Sequence, residues 1–164
     1  MFGFLKRFFG GGSSALTREE IETLPPKKLY YRVLYSLPDA EEANDAQRDF
    51  VSMVMLDGEV RNGGFNQYYY NMGDEGRRAE EAFGRAGAAD LAEIVRQAND
   101  CFESSRGRLA ELWDGTMKGF SASYKEKLFD RFDTAYYAAV EKARFQALLA
   151  GFVRSRAEEF VPQK

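Results

Sequence analysis

The residue types that carry most enzyme chemistry are nearly missing from this sequence. It has no histidine and a single cysteine, Cys101, which removes His-dependent triads and dyads, zinc-type Cys/His clusters and any internal disulfide framework. Carboxylates and amides are what remain. A carboxylate can act as a general base and oxygen ligands can hold a metal, and Asp57 and Glu59 stand close in sequence to Asn62, Gln67 and Asn71. With so few catalytic roles available, the expectation is a non-catalytic protein without cofactor or metal.

The carboxylates are more informative as a group. Between Asp39 and Glu59 the acids are Asp39, Glu41, Glu42, Asp45, Asp49, Asp57 and Glu59, opposed by Arg48 alone, so seven negative charges against one positive leave a local balance of −6. Asp45 and Asp49 are one helical turn apart and Glu41 and Glu42 immediately precede them, which would align carboxylates along one edge as a partner-binding acidic face. An ordinary solvated helix face has the same pattern. Elsewhere Glu80, Glu81, Asp90 and Glu93 alternate with Arg77, Arg78, Arg85 and Arg96 and read as solubilising pairs. Over the whole chain 23 Lys and Arg meet 26 Asp and Glu, for a net charge of −3. There is no basic field for direct nucleic-acid binding, and the partner class expected is protein.

Several helices must position these groups. Thr17 and Glu20 have capping-box spacing, with Pro25 ending the helix they open. Pro26 suits the first turn of a second helix bearing Tyr30, Val33, Leu34 and Leu37 on one face before Pro38. A third is expected from about Asn44 to Val60, with Ala46, Phe50, Met53, Val54 and Val60 inward. Phe65 to Met72 reads as a short aromatic helix closed by Gly73, after which Asp74 should cap the next. There Ala79, Ala82, Phe83 and Ala86 recur until Gly87, and Leu91, Ile94, Val95, Ala98, Cys101 and Phe102 continue the stripe in a further helix. Leu109, Leu112 and Trp113 cluster before an irregular stretch marked by Asp114, Gly115 and Gly119. Ser123 with Glu126 repeats the capping-box spacing, and Asp133 is placed to cap one long final helix carrying Tyr137, Val140, Ala147, Leu148 and Phe152. No stretch alternates with period two, so the fold expected is an irregular all-α bundle of seven or eight helices.

The least ordinary segment runs from Glu59 to Asn71, where paired glycines, amides and four aromatics occur together. One reading is structural: Gly63 and Gly64 make a sharp turn, Asn62 bonds to the backbone there, and Gln67 and Asn71 satisfy buried main-chain groups. Another makes Arg61, Asn66, Gln67 and Tyr70 a recognition patch, and an immunity or antitoxin-like module would contact its partner through Phe65 to Tyr70. The run Glu59, Val60, Asn62, Gly63, Gly64, Phe65, Gln67, Tyr68, Asn71 resembles the signature of a bacterial family, once filed as a domain of unknown function, that includes a DNA-mimic protein. The likeness continues through Ala86-Gly87-Ala88 and through Phe132-Asp133 with Tyr136-Tyr137, over about residues 17 to 160. The resemblance implies an all-helical, dimerising protein that sets carboxylates where DNA phosphates would lie and so occupies the DNA-binding face of a transcription factor. Mimicry of that kind needs dense negative charge, since duplex DNA carries one charge per roughly 1.7 Å of axis. The Asp39 to Glu59 block is where this chain offers it.

The expected organisation is a flexible tail over residues 1–15 and a single all-α domain over residues 16–164. In the tail, Phe2, Phe4, Leu5, Phe8 and Phe9 flank two cations, the composition of a weak membrane-surface contact, and Gly10 to Ser14 follow as a linker. No apolar run approaches the roughly 20 residues that a membrane span needs, and charges interrupt the opening where a signal peptide would be apolar. A cytoplasmic location is expected.

Overall fold

The computed structural model describes residues 15–39 and 41–161, and within them every regular element is helical and no strand occurs. In chain order these are α1 (Arg18–Thr23), α2 (Pro26–Ser36), α3 (Asp45–Met72), a 3-10 turn at Gly73–Glu75, α4 (Gly76–Arg85), α5 (Ala89–Leu112), α6 (Met117–Ser123), a second 3-10 turn at Tyr124–Glu126, α7 (Asp130–Ala143), α8 (Phe145–Ser155) and α9 (Ala157–Phe160). The expected all-α architecture is therefore what forms. The tail and its five apolar anchors lie outside the described residues, Ala15 apart.

The chain divides into two units, Met1–Val51 with Ala143–Lys164, and Ser52–Lys142. In the first unit the Thr17 hydroxyl accepts the Glu20 N–H at 3.2 Å and the Glu20 carboxylate accepts the Thr17 N–H at 2.8 Å, a complete capping box opening α1. Arg154 of α8 finishes the same helix, donating to the carbonyls of Ile21 at 3.1 Å and Leu24 at 2.7 Å. Pro26 starts α2, whose Leu29, Val33 and Leu34 are buried and which packs mainly on α8. Phe50 lies inside this unit with its ring centroid 6.1 Å from those of Tyr30 and Phe160. Asn44 and Gln47 cap α3 reciprocally, each side-chain oxygen accepting the other's backbone N–H at 3.0 Å. An amide pair performs here what the hydroxyl and carboxylate do at Thr17.

In the second unit α4 packs extensively on α5, with Ala79, Ala82 and Phe83 buried on one and Leu91, Val95, Ala98 and Phe102 on the other. Small alanines let the helices approach closely. On the outside Arg77 bonds Glu80, Arg85 bonds Glu81, and Arg96 bonds Glu93, the expected solubilising pairs. Cys101 is half-buried, its Sγ 3.6 Å from the Leu128 carbonyl.

Three expected helix ends are corrected. Asp74 caps nothing: it sits in the 3-10 turn and bonds Arg106, and α4 begins without a side-chain cap. Ser123 closes α6 instead of opening a helix, its hydroxyl donating to the Phe120 carbonyl at 2.7 Å. The cap of α6 is Thr116, whose oxygen accepts the Gly119 N–H at 3.1 Å. The long final helix is two helices, because Arg144 takes a left-handed conformation at φ 51° and breaks it. That break shifts the phase, so Phe145, Leu149, Ala150, Phe152 and Val153 turn inward and Ala147 outward.

Candidate functional site

The signature segment is built around an interruption of α3. Gly63 is extended (φ −160°, ψ 30°) and Gly64 adopts φ 69°, ψ −177°, a combination essentially reserved for glycine. A Cβ at Gly64 would overlap the Asp133 carboxylate. Breaking a helix frees backbone groups that need partners, and side chains supply them. The Tyr137 hydroxyl donates to the Val60 carbonyl at 2.6 Å, the Tyr124 hydroxyl donates to the Gly63 carbonyl at 2.7 Å, and the Phe65 N–H donates to Asp133 Oδ1 at 2.7 Å. Asp133 is thus a helix cap, though for the helix that restarts at Phe65 and not for its own.

Across the turn, Glu59 Oε2 accepts from Gln67 Nε2 and from Asn71 Nδ2, both at 2.8 Å, so one carboxylate ties the two halves of α3 together. Buried Asn66 donates to the Ser123 hydroxyl at 2.8 Å. Gln67 and Asn71 therefore serve a carboxylate where main-chain groups were expected, and Asn62 is exposed. Phe65, Tyr68 and Tyr69 are buried, Tyr69 stacking on Phe102 with centroids 4.3 Å apart and donating its hydroxyl to Asn99 at 2.8 Å. Tyr70 is half-buried and meets Trp113 and Phe120 at 5.5 and 4.6 Å. An immunity-like surface on this segment loses its two central rings to the core.

The seven acids do not form one face. Asp39, Glu41, Glu42 and Asp45 are exposed, whereas Asp49 is 3% exposed and Asp57 8%. Helical phase explains Asp49, which follows Ala46 by three and precedes Met53 by four, so it falls on the buried stripe of α3. The block also divides between the units, Asp39 to Asp49 belonging to the first and Asp57 and Glu59 to the second. Asp57 receives Arg61 Nε at 2.9 Å on both oxygens and the Tyr136 hydroxyl at 3.3 Å. Burial pushes its carboxyl above the usual range, against the pull of Arg61 and Tyr136. Burial likewise raises Asp133, against the Phe65 N–H. Among the described residues no group of three or more metal-binding side chains converges, and no helix is long and apolar enough to cross a membrane.

Beside the exposed acids lies a groove of about 430 Å³, lined in part by Glu42, Asn44, Gln47, Glu158, Glu159 and Phe160. Asn44 and Gln47 fix its frame by donating to the Glu159 carbonyl at 2.7 and 3.1 Å. Glu158 is exposed and paired with Arg18. No sequence pattern connects Glu158 and Glu159 with Glu42, because they lie more than a hundred positions away and only the fold brings them to it. The sequence profile of a family described as DMP19-like protein matches residues 41–156, a stretch that holds the glycine turn and Asp133. No curated protein matches the chain.

Proposed function

Because the chain belongs to the DMP19-like protein family, we propose that it is a non-catalytic regulator that binds a basic DNA-binding protein, with carboxylates of the first unit standing where DNA phosphates would lie. The observation that carries this reading is the exposure of Asp39, Glu41, Glu42 and Asp45 within one short run, with Glu158 and Glu159 on the neighbouring groove. Arg48 lies 3.9 Å from Asp45 and Arg18 pairs with Glu158, so two of the carboxylates have a cation beside them. A net charge of −3 does not oppose it. At physiological salt charges act over about 8 Å, so a partner feels the local cluster and not the sum over the molecule.

A cytoplasmic location, a homodimer and the absence of direct nucleic-acid contact go with this proposal. It is tested by capturing basic proteins from bacterial extract and then measuring each isolated candidate against its own DNA. The expected result is that the protein displaces the DNA and that affinity falls steeply between about 50 and 200 mM salt, in the manner of roughly ten- to a thousandfold losses for several charge contacts. Glu41→Gln, Glu42→Gln and Asp45→Asn together should weaken binding by about tenfold or more. A partner that binds protein and DNA at once, or that ignores the triple change, would overturn it. Turnover of a small molecule abolished by Asp57→Asn would overturn the non-catalytic part.

A further inference from the structure

We propose that the Asp133 carboxylate is a protonation-controlled latch on the glycine turn of α3: ionised, it holds the Phe65 N–H and sets where the helix restarts, and neutral, it loosens that hold. Of the three side chains bonded to the backbone of the turn, Tyr124 and Tyr137 use hydroxyls that keep their protons throughout the acidic range, so among these three only Asp133 can change state there. A hydrogen bond to an ionised acceptor is roughly twice as strong as one to a neutral acceptor. Gly64, next to the bonded N–H, has no side chain and sits at φ 69°, a position that glycine occupies without strain.

The groups around Asp133 bias it toward the proton. On its own helix are Asp130, whose charge opposes ionisation, and Tyr137, and from the 3-10 turn comes Tyr124. Burial and Asp130 favour the neutral form while the Phe65 N–H favours the charged one. Opposed influences of this kind are what a switch requires, and this one is independent of what the acidic surface binds.

The experiment is a pH titration of the full chain followed through the backbone amide of Phe65 by ¹H–¹⁵N NMR. As the pH falls, the Phe65 amide proton is expected to move upfield with a single midpoint above the ordinary Asp value of about 3.9. In Asp133→Asn, which keeps an oxygen acceptor for the same N–H, the movement should vanish, and in Asp130→Asn its midpoint should drop. A Phe65 amide that stays still in the unaltered protein, or that titrates identically in Asp133→Asn, overturns the latch. Should Asp133→Asn not fold, the comparison of the unaltered protein with Asp130→Asn decides in the same way: an unmoved midpoint rejects it.

Discussion

Two glycines in α3 illustrate how the same residue does opposite things. Gly64 stands at φ 69°, ψ −177° against the Asp133 carboxylate, so Gly64→Ala meets both backbone strain and loss of the cap. Together these should cost about 2–4 kcal/mol of unfolding free energy, read by urea denaturation. Gly58 lies in the same helix, exposed, with nothing within 4 Å of the point where a methyl group would stand. Gly58→Ala should therefore stabilise by about 0.5–1 kcal/mol in the same assay. Asp57 carries a pH signature. Its folded carboxyl titrates above its value in the unfolded chain, so between those two points the native state binds more protons and stability falls as pH rises. Arg61→Ala removes the cation that compensates the buried charge, and its cost, about 1–3 kcal/mol at pH 7, should be smaller at acidic pH, where more of Asp57 is protonated. Equal costs at the two pH values would contradict this account. The acid's presence is plain in the sequence, but its burial is not. One helical turn separates exposed Asp45 from buried Asp49, and only the phase of Asp49 on the stripe of Ala46, Phe50 and Met53 tells the two apart.

At the scale of elements, the readable features are those written in adjacent residues. Thr17 with Glu20, Pro26 and the apolar spacing of α2 and α5 announce their helices. Ser123 with Glu126 has the same spacing as Thr17 with Glu20, yet Ser123 ends a helix, since the pattern does not say on which side of the hydroxyl the helix lies. The cap of the helix restarting at Phe65 comes from Asp133, 68 positions away, and no local pattern can name such a partner. Arg144 breaks what periodicity presents as one helix without a glycine or proline to mark it. A left-handed arginine is strained by roughly 1–2 kcal/mol, so Arg144→Gly should raise the thermal midpoint by a few degrees, and a fall would show that the side chain contributes more than the strain costs.

For the molecule as a whole, the acidic charge is legible along the chain and only partly in space. Four of the seven acids between Asp39 and Glu59 are exposed, and the fold adds Glu158 and Glu159 from the far end of the sequence. The aromatic content is divided too, with Phe50, Phe65, Tyr68 and Tyr69 in the core and Tyr31, Tyr35, Tyr124 and Tyr137 exposed. Glu59, with both amides donated to it, has a consequence for how variation in this gene would be seen. Between positions 57 and 71 most polar groups are bonded to one another or to Ser123, Tyr124, Asp133 and Tyr137, so a saturation library sorted by the amount of protein in cells should be depleted there, the exposed Gly58 and Asn62 apart. Sorted by interaction at matched abundance, the same library should instead be depleted between 39 and 45, and the two maps should scarcely overlap.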